Sequence, residues 1–135
     1  MPNAQPRLLG VLETVLYYET AQEEEVERFY RDVLGLRPVA ETIGGTGYRA
    51  GDDVFLVFDR PTKAKLEELA HGASGPVHAC FLAPAEEYER WKQHLREHGV
   101  ALIEETTWKS GVRSFYFRDP AGNLLEIAEA DLWPA

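Results

Sequence analysis

The sequence has little of what several protein classes require. It contains one cysteine in 135 residues, so no disulfide can form within the chain, which fits a reducing compartment. No apolar run approaches the ~20 residues that a membrane-spanning helix needs. The first residues, MPNAQPRLLG, have neither the apolar core nor the cleavage site of a signal peptide. We therefore predict a cytoplasmic protein.

Positive charge is also scarce. The chain has 14 Lys and Arg against 23 Asp and Glu, a net charge of −9, and no basic run. Such a chain is unsuited to nucleic acids and to anionic membranes. With 44% hydrophobic residues, its 135 positions suffice for one compact domain and are too few for two. We predict a single domain over residues 1–135 whose partner is a small molecule.

The order of apolar runs and turns occurs twice. A strand over residues 8–18 precedes a helix that ends at Gly35 and then short strands up to residue 58. A strand over residues 77–82 precedes a helix that ends at Gly99, a further strand and a hairpin over residues 114–128. The repeat predicts an α+β fold of two tandem βαβββ modules, over residues 7–60 and 77–128, joined by a linker over residues 61–76.

An ionisable residue interrupts three of the predicted apolar strands. Glu13 lies in LLGVLETVLYY, His78 in VHACFL and Glu126 in LLEIA. Burying an unpaired carboxylate costs several kcal/mol, so three such residues in one small domain indicate a shared site. Glu, His and Glu are ligands for a divalent ion such as Mn, Fe(II), Co, Ni, Zn or Mg, and three ligands leave positions open for catalysis. We predict that Glu13, His78 and Glu126 hold one divalent metal ion.

Each of these residues also has a simpler interpretation. Glu13 would face solvent at the edge of a sheet, and His78 would be a core histidine bonded to a carbonyl. Glu126 would pair with Arg118 across the hairpin. These interpretations need no metal, and they explain each residue separately rather than all three together.

Further candidates surround the predicted site. Tyr116 alternates with Phe115 and Phe117, so it faces a cavity if those rings pack under a helix. There it would act with Glu126 as a catalytic group by donating a hydrogen bond or a proton. Two cations in the preceding loop, Lys109 and Arg113, would bind an anionic or oxygen-rich substrate. Two aromatic side chains are predicted to stack on the ligand: Tyr17 and Phe55.

Two stretches give the sequence a family resemblance. They are FYRDVLGL at residues 29–36 and FYFRDPAGNLLE at residues 115–126. Together they resemble the vicinal oxygen chelate superfamily, which includes glyoxalase I, extradiol dioxygenases, fosfomycin-resistance enzymes and bleomycin-resistance proteins. The resemblance covers residues 8–127. It implies a cupped, mixed, glyoxalase-like sheet with a metal ion inside, ligands at Glu13, His78 and Glu126, and a homodimer.

At several positions the sequence differs from the proteins that it resembles, and these differences leave several activities open. Glyoxalase I uses four protein ligands, and Val57 stands at the fourth position here. Bleomycin-resistance proteins lack the ligands that this chain keeps. Fosfomycin-resistance enzymes and extradiol dioxygenases have His where this chain has Glu13, and the former have Thr at Val15.

Three functions follow as expectations. The first is a metal-dependent lyase, dioxygenase or transferase that acts on a small substrate bound to the metal through adjacent oxygens. The second is a metal-free small-molecule or antibiotic-binding resistance protein. The third is a fosfomycin thiol transferase.

Overall fold

The computed structural model of the protein describes residues 5–134. It has two tandem βαβββ modules, which confirms the predicted α+β fold. The first contains four strands: β1 (Glu13–Tyr18), β2 (Arg37–Thr42), β3 (Gly45–Ala50) and β4 (Asp53–Asp59). The second contains four more: β5 (His78–Leu82), β6 (Glu104–Thr107), β7 (Arg113–Arg118) and β8 (Leu124–Ala128).

Short helical segments connect the strands. Between β1 and β2 lie a 3-10 turn (Thr20–Gln22), the helix α1 (Glu23–Arg28) and a π-helical turn (Phe29–Val33). The linker contains α2 (Arg60–Lys63) and a second 3-10 turn (Glu67–Leu69). The helix α3 (Tyr88–Glu97) connects β5 to β6. Within residues 5–134, none of these helices is long and apolar enough to span a membrane.

The two modules build equivalent four-stranded sheets. The strand orders are β1-β4-β3-β2 and β5-β8-β7-β6. In each sheet the first strand pairs in parallel with the last, and the remaining pairs are antiparallel. Consequently β1 and β5 each form a sheet edge, while β8 lies between β5 and β7. This arrangement places Glu126 opposite Cys80 on one side and Tyr116 on the other.

The core forms where the sheets pack against the helical segments. Phe115 and Phe117 are buried on the helix side of β7, which leaves Tyr116 on the opposite face. The modules contact each other through hydrogen bonds as well as rings. Tyr30 donates a hydrogen bond to Asp119, and the side-chain amide of Asn123 donates one to the Tyr17 carbonyl. The turn before β8 is thereby fixed against the first module.

The beginning of β1 differs from the sequence expectation. The strand starts at Glu13 rather than at residue 8, and the apolar residues before it are exposed: Leu8, Leu9, Val11 and Leu12. The predicted burial of Glu13 is also wrong, because its side chain is exposed. The reason is the length of β4, whose pairing with β1 begins at Glu13 opposite Val54. An apolar pattern indicates that a segment tends to be buried, but it does not show which neighbouring strand buries it.

Candidate functional site

His78 and Glu126 meet on the face of the second sheet. His78 lies on the edge strand β5 and Glu126 in the middle of β8, and Nε2 of the imidazole is 3.3 Å from Oε1 of the carboxylate. The other ring nitrogen, Nδ1, is 2.9 Å from the Leu124 carbonyl oxygen and therefore donates to it. In the neutral ring Nε2 then has a free lone pair facing the carboxylate. Such a pair needs a cation or a proton between its two atoms.

The environment of Glu126 strengthens this requirement. The residue is 4% exposed, and among the described residues its Oε2 atom has no hydrogen-bond partner. A buried carboxylate oxygen without a partner is costly, so it marks a position where a cation or a ligand donor belongs. The pair differs in burial, since the side chain of His78 remains 47% exposed. The carboxylate therefore lies buried within the sheet, whereas about half of the imidazole surface is exposed to solvent. The predicted burial of His78 is wrong.

Two neutral donors lie beside the carboxylate. Burial, together with the negative charge of Glu126, raises the pKa of Cys80 to about 12. Burial is also the main cause that raises the pKa of Tyr116, with Glu126 again contributing. Both groups therefore keep their protons at neutral pH. The Tyr116 hydroxyl can donate a hydrogen bond to a ligand that enters beside Glu126.

A cavity of about 570 Å³ opens next to this pair. Its volume lies within the range of small-molecule sites. The rings of Phe55 and Phe81, one from each module, form part of its wall with centroids 5.1 Å apart. Further apolar and aromatic side chains complete the lining: Val54, Trp108, Tyr116, Leu132 and Trp133.

Only two of the three predicted ligands meet within one chain. Glu13 lies at the exposed start of β1, and its neighbour Thr14 lines the cavity while Glu13 does not. Over residues 5–134, no three His, Cys, Asp or Glu side chains are grouped so that they could hold a metal ion. The structure thus brings His78 to Glu126 and leaves Glu13 apart, because β1 is the edge of the other sheet.

The other predicted residues divide between the cavity and the rest of the surface. Phe55 and Tyr116 line the cavity, whereas Lys109 and Arg113 do not. Tyr17 lies elsewhere, with its hydroxyl 2.6 Å from Nδ1 of His71.

Two arginines have partners away from the cavity. Arg113 pairs with Glu89 and Glu129, each at 2.9 Å, and its guanidinium lies 4.5 Å from the centre of the Tyr88 ring. Arg118 donates to the Gly122 carbonyl. The alternative pairing of Arg118 with Glu126 is therefore absent from the described residues.

Sequence reasoning missed part of the cavity wall. Trp108 precedes β7, its indole nitrogen donates to the Ser114 hydroxyl at 3.0 Å, and its side chain lines the cavity. Asp53 also lines the cavity, as do Leu132 and Trp133, which follow the last strand. The available signal was the pair of apolar residues Leu132 and Trp133 in the short segment after β8.

Comparison with known proteins gives consistent results. Residues 20–127 match the profile of the Glyoxalase/Bleomycin resistance protein/Dioxygenase superfamily. A crystal structure of lactoylglutathione lyase from Agrobacterium tumefaciens is 31% identical, with a TM-score of 0.85 over 96% of this chain and 100% of that one. The glutathione transferase FosA of Serratia marcescens is 31% identical over 100 residues, which cover 73% of this chain and 67% of the relative.

A fosfomycin resistance structure shares the fold at lower identity. It is a mutant of FosX from Listeria monocytogenes complexed with Mn(II) and 1S,2S-dihydroxypropylphosphonic acid. Its TM-score is 0.69 and its identity 16%, over 93% of this chain and 94% of that one.

Proposed function

Since the chain belongs to the Glyoxalase/Bleomycin resistance protein/Dioxygenase superfamily, we propose that it is a metal-dependent enzyme acting on a small molecule. His78, Glu126 and Glu13 hold one divalent ion, and the substrate binds through two adjacent oxygens. The observation that carries the proposal is the buried carboxylate of Glu126. It faces Nε2 of His78 at 3.3 Å and has a second oxygen without a partner among the described residues.

The donor set fits a divalent ion. An imidazole and a carboxylate suit Mn, Fe(II), Co, Ni and Zn, and the hydrogen bond from Nδ1 to Leu124 directs Nε2 toward the ion. When bound, a divalent ion supplies Lewis-acid stabilisation of negative charge on a substrate oxygen, worth several kcal/mol. The cavity wall positions the body of the substrate. Tyr116, which stays protonated, donates a hydrogen bond to a substrate oxygen.

We further propose that a second copy of the chain supplies Glu13. The apolar residues 8–12 are exposed, and so is Leu82 at the edge strand β5, where 71% of its surface faces solvent. Both β1 and β5 are sheet edges, which have unpaired backbone groups that favour association. A homodimer that covers both edges buries these residues and brings Glu13 of each copy to His78 and Glu126 of the other. By symmetry it contains two such sites.

Metal analysis tests the proposal. The purified protein, Glu126→Gln and His78→Gln are dialysed against Mn²⁺ or Zn²⁺, and the bound metal is measured by mass spectrometry and calorimetry. The controls are Glu25→Gln and His98→Gln, which change the same residue types at exposed positions. We expect about one ion per chain in the protein and both controls, and a loss of at least tenfold in affinity in the two site variants. Equal and negligible metal in all five proteins refutes the proposal.

A metal-free binding protein is the second candidate. It is favoured by the aromatic wall and by the separation of Glu13 from the other two ligands within one chain. In this case the cavity sequesters a small molecule without changing it. Stoichiometric binding of a ligand that is unaffected by a strong chelator, without product formation, supports this candidate over the enzyme.

A further inference from the structure

The charged side chains that line the cavity are mainly acidic. Asp53 and Glu126 lie in its wall, and His78 is the single basic side chain there. Among residues 5–134, no lysine or arginine lines the cavity. The whole chain has a net charge of −9, which adds to the negative field at the opening. An anionic ligand therefore meets no lysine or arginine in the part of the wall that residues 5–134 form.

One cation close to the cavity in sequence, Arg113, is already paired. Arg113 precedes the cavity residue Tyr116 on β7, but its guanidinium donates to Glu89 and Glu129 on the helix side of the sheet. These two carboxylates neutralise it, and Tyr88 covers its face. Moving this side chain into the cavity would remove the side-chain partner of Glu129 and leave Glu89 with Lys92.

Aromatic rings from both modules line the cavity. Phe55 and Phe81 form one part, and the planes of His78 and Tyr116 are inclined by only 33° with centroids 6.2 Å apart. The hydrogen bond to Ser114 fixes the indole of Trp108. Aromatic walls of this kind bind flat molecules by stacking and by burial of apolar area.

Trp133 is the exposed part of this wall. Although Trp133 lines the cavity, 80% of its surface is exposed to solvent. It lies in the segment after β8, whose strand carries Glu126. A ligand in the cavity would remove part of this indole from water, which favours binding in proportion to the apolar area covered.

We propose that the cavity selects a flat ring compound without negative charge, and that Trp133 is the side chain that covers it. The inference rests on the proposed function, because two adjacent oxygens of the ring compound face His78 and Glu126. It separates this chain from the FosX structure of Listeria monocytogenes, whose ligand is a phosphonic acid. A phosphonate is anionic at neutral pH, and the cavity wall formed by the described residues offers it the carboxylate of Asp53 and no lysine or arginine.

Three catechols of similar shape and different charge test the selection. They are 4-ethylcatechol, which is neutral, dopamine, which is cationic, and 3,4-dihydroxyphenylacetate, which is anionic. Each is titrated by calorimetry into the full chain with Mn²⁺ under argon, beside 1S,2S-dihydroxypropylphosphonic acid. We expect dopamine to bind at least as tightly as 4-ethylcatechol, and both anions to bind about tenfold more weakly or worse. An anion that binds as tightly as the neutral probe overturns the proposal.

Two aspartates provide a matched pair of variants. Asp53 lines the cavity and its neighbour Asp52 does not. We expect Asp53→Asn to reduce the preference for dopamine over 3,4-dihydroxyphenylacetate, and Asp52→Asn to preserve it. Equal effects of both variants would assign the preference to net charge rather than to the cavity wall, and would overturn the role of Asp53.

The role of Trp133 has its own variants. Trp133→Ala is expected to weaken 4-ethylcatechol binding about tenfold, whereas Trp133→Phe keeps most of the affinity. The control is Leu69→Ala, which removes an exposed apolar side chain outside the cavity. Unchanged affinity in Trp133→Ala refutes the role of this residue.

Repeating the titrations in a chelator separates the two proposals. If the charge order persists without metal, and no metal binds, the metal-dependent function fails and the selection by the cavity stands. If Mn²⁺ binds and the phosphonic acid binds tightest, the selection fails and the metal site stands.

Discussion

Tyr30 donates a hydrogen bond of 2.5 Å to Asp119, 89 residues further along the chain. Both side chains are buried, and they belong to the two stretches that carry the family resemblance, residues 29–36 and 115–126. Asp119 also accepts from the backbone of Ala121 and Asn123, so one carboxylate shapes its own turn and joins the modules. The hydrogen bond therefore joins the two stretches in the folded chain.

Removing this hydroxyl is expected to destabilise the fold. Tyr30→Phe leaves Asp119 with one fewer donor, and a hydrogen bond to a buried charged group contributes roughly 1.5–3 kcal/mol. We expect the free energy of unfolding in urea to fall by about that amount, with no loss of metal affinity. As a comparison, Tyr17→Phe removes an exposed contact to His71 and should cost less than about 0.5 kcal/mol. Equal losses in both variants would contradict a special role for Tyr30.

Glu126 is expected to lower the stability of the metal-free protein. Its burial, and an oxygen that has no partner within residues 5–134, make the carboxylate costly without a cation. In a chelator, Glu126→Met should therefore be as stable as the unaltered chain or more stable by about 1–3 kcal/mol. With excess metal the order should reverse, because metal binding stabilises only the chain that keeps the ligand.

The comparison variant for this prediction is Glu105→Met. Glu105 has partners, since it accepts a hydrogen bond from Tyr88 and pairs with Lys92. Its replacement should destabilise the protein in both conditions, as measured by urea unfolding. If Glu126→Met is as destabilising as Glu105→Met in the chelator, the carboxylate has a structural role instead.

Mixing two variants that each lack one proposed metal ligand tests whether Glu13 completes the site of a second copy. A His78→Ala chain keeps Glu13, and a Glu13→Gln chain keeps His78 and Glu126. If ligands come from both copies, refolding an equal mixture restores one complete site in each mixed dimer, roughly a quarter of the sites in the unaltered protein. Metal content before and after mixing measures the effect. No recovery on mixing would show that Glu13 does not complete the partner's site, and full metal binding by Glu13→Gln alone would remove it from the ligand set.

Glu105 should make stability depend on pH. The hydrogen bond from Lys92 is the largest cause that holds the pKa of Glu105 below its ordinary value. A lowered pKa in the folded state stabilises the protein above the unfolded pKa of about 4.3, and this contribution is lost as the pH falls through the folded pKa. Glu105→Gln should therefore reduce stability at pH 7, and the difference should shrink as the pH falls below the unfolded pKa of about 4.3 toward the lower folded pKa. Urea unfolding at pH 7, 5 and 3.5 measures it, and a constant difference contradicts the assignment.

Sequence pattern predicted the features that depend on short-range periodicity. The alternation of Phe115, Tyr116 and Phe117 assigns two rings to the core and one to the cavity, and the structure has this arrangement. The repeated order of strands and helices likewise predicts both modules. These features follow from backbone geometry, which fixes the face of each side chain within a strand.

The remaining features depend on contacts between distant residues. The apolar pattern around Glu13 predicts burial, but it does not show that the pairing of β1 with β4 begins only at that residue. The sequence predicts that Arg113 binds the substrate, whereas in the structure Glu89 of α3 and Glu129 after β8 each form an ion pair with it. Trp133 follows the last strand, where no periodicity indicates the direction of a side chain.

Every strand in each sheet comes from one half of the sequence, so no backbone ladder crosses the linker. This is the architecture expected when an ancestral gene for a single module is duplicated and fused. In this chain the second half carries His78, Glu126 and most of the aromatic side chains that line the cavity, while the first half contributes the ring of Phe55.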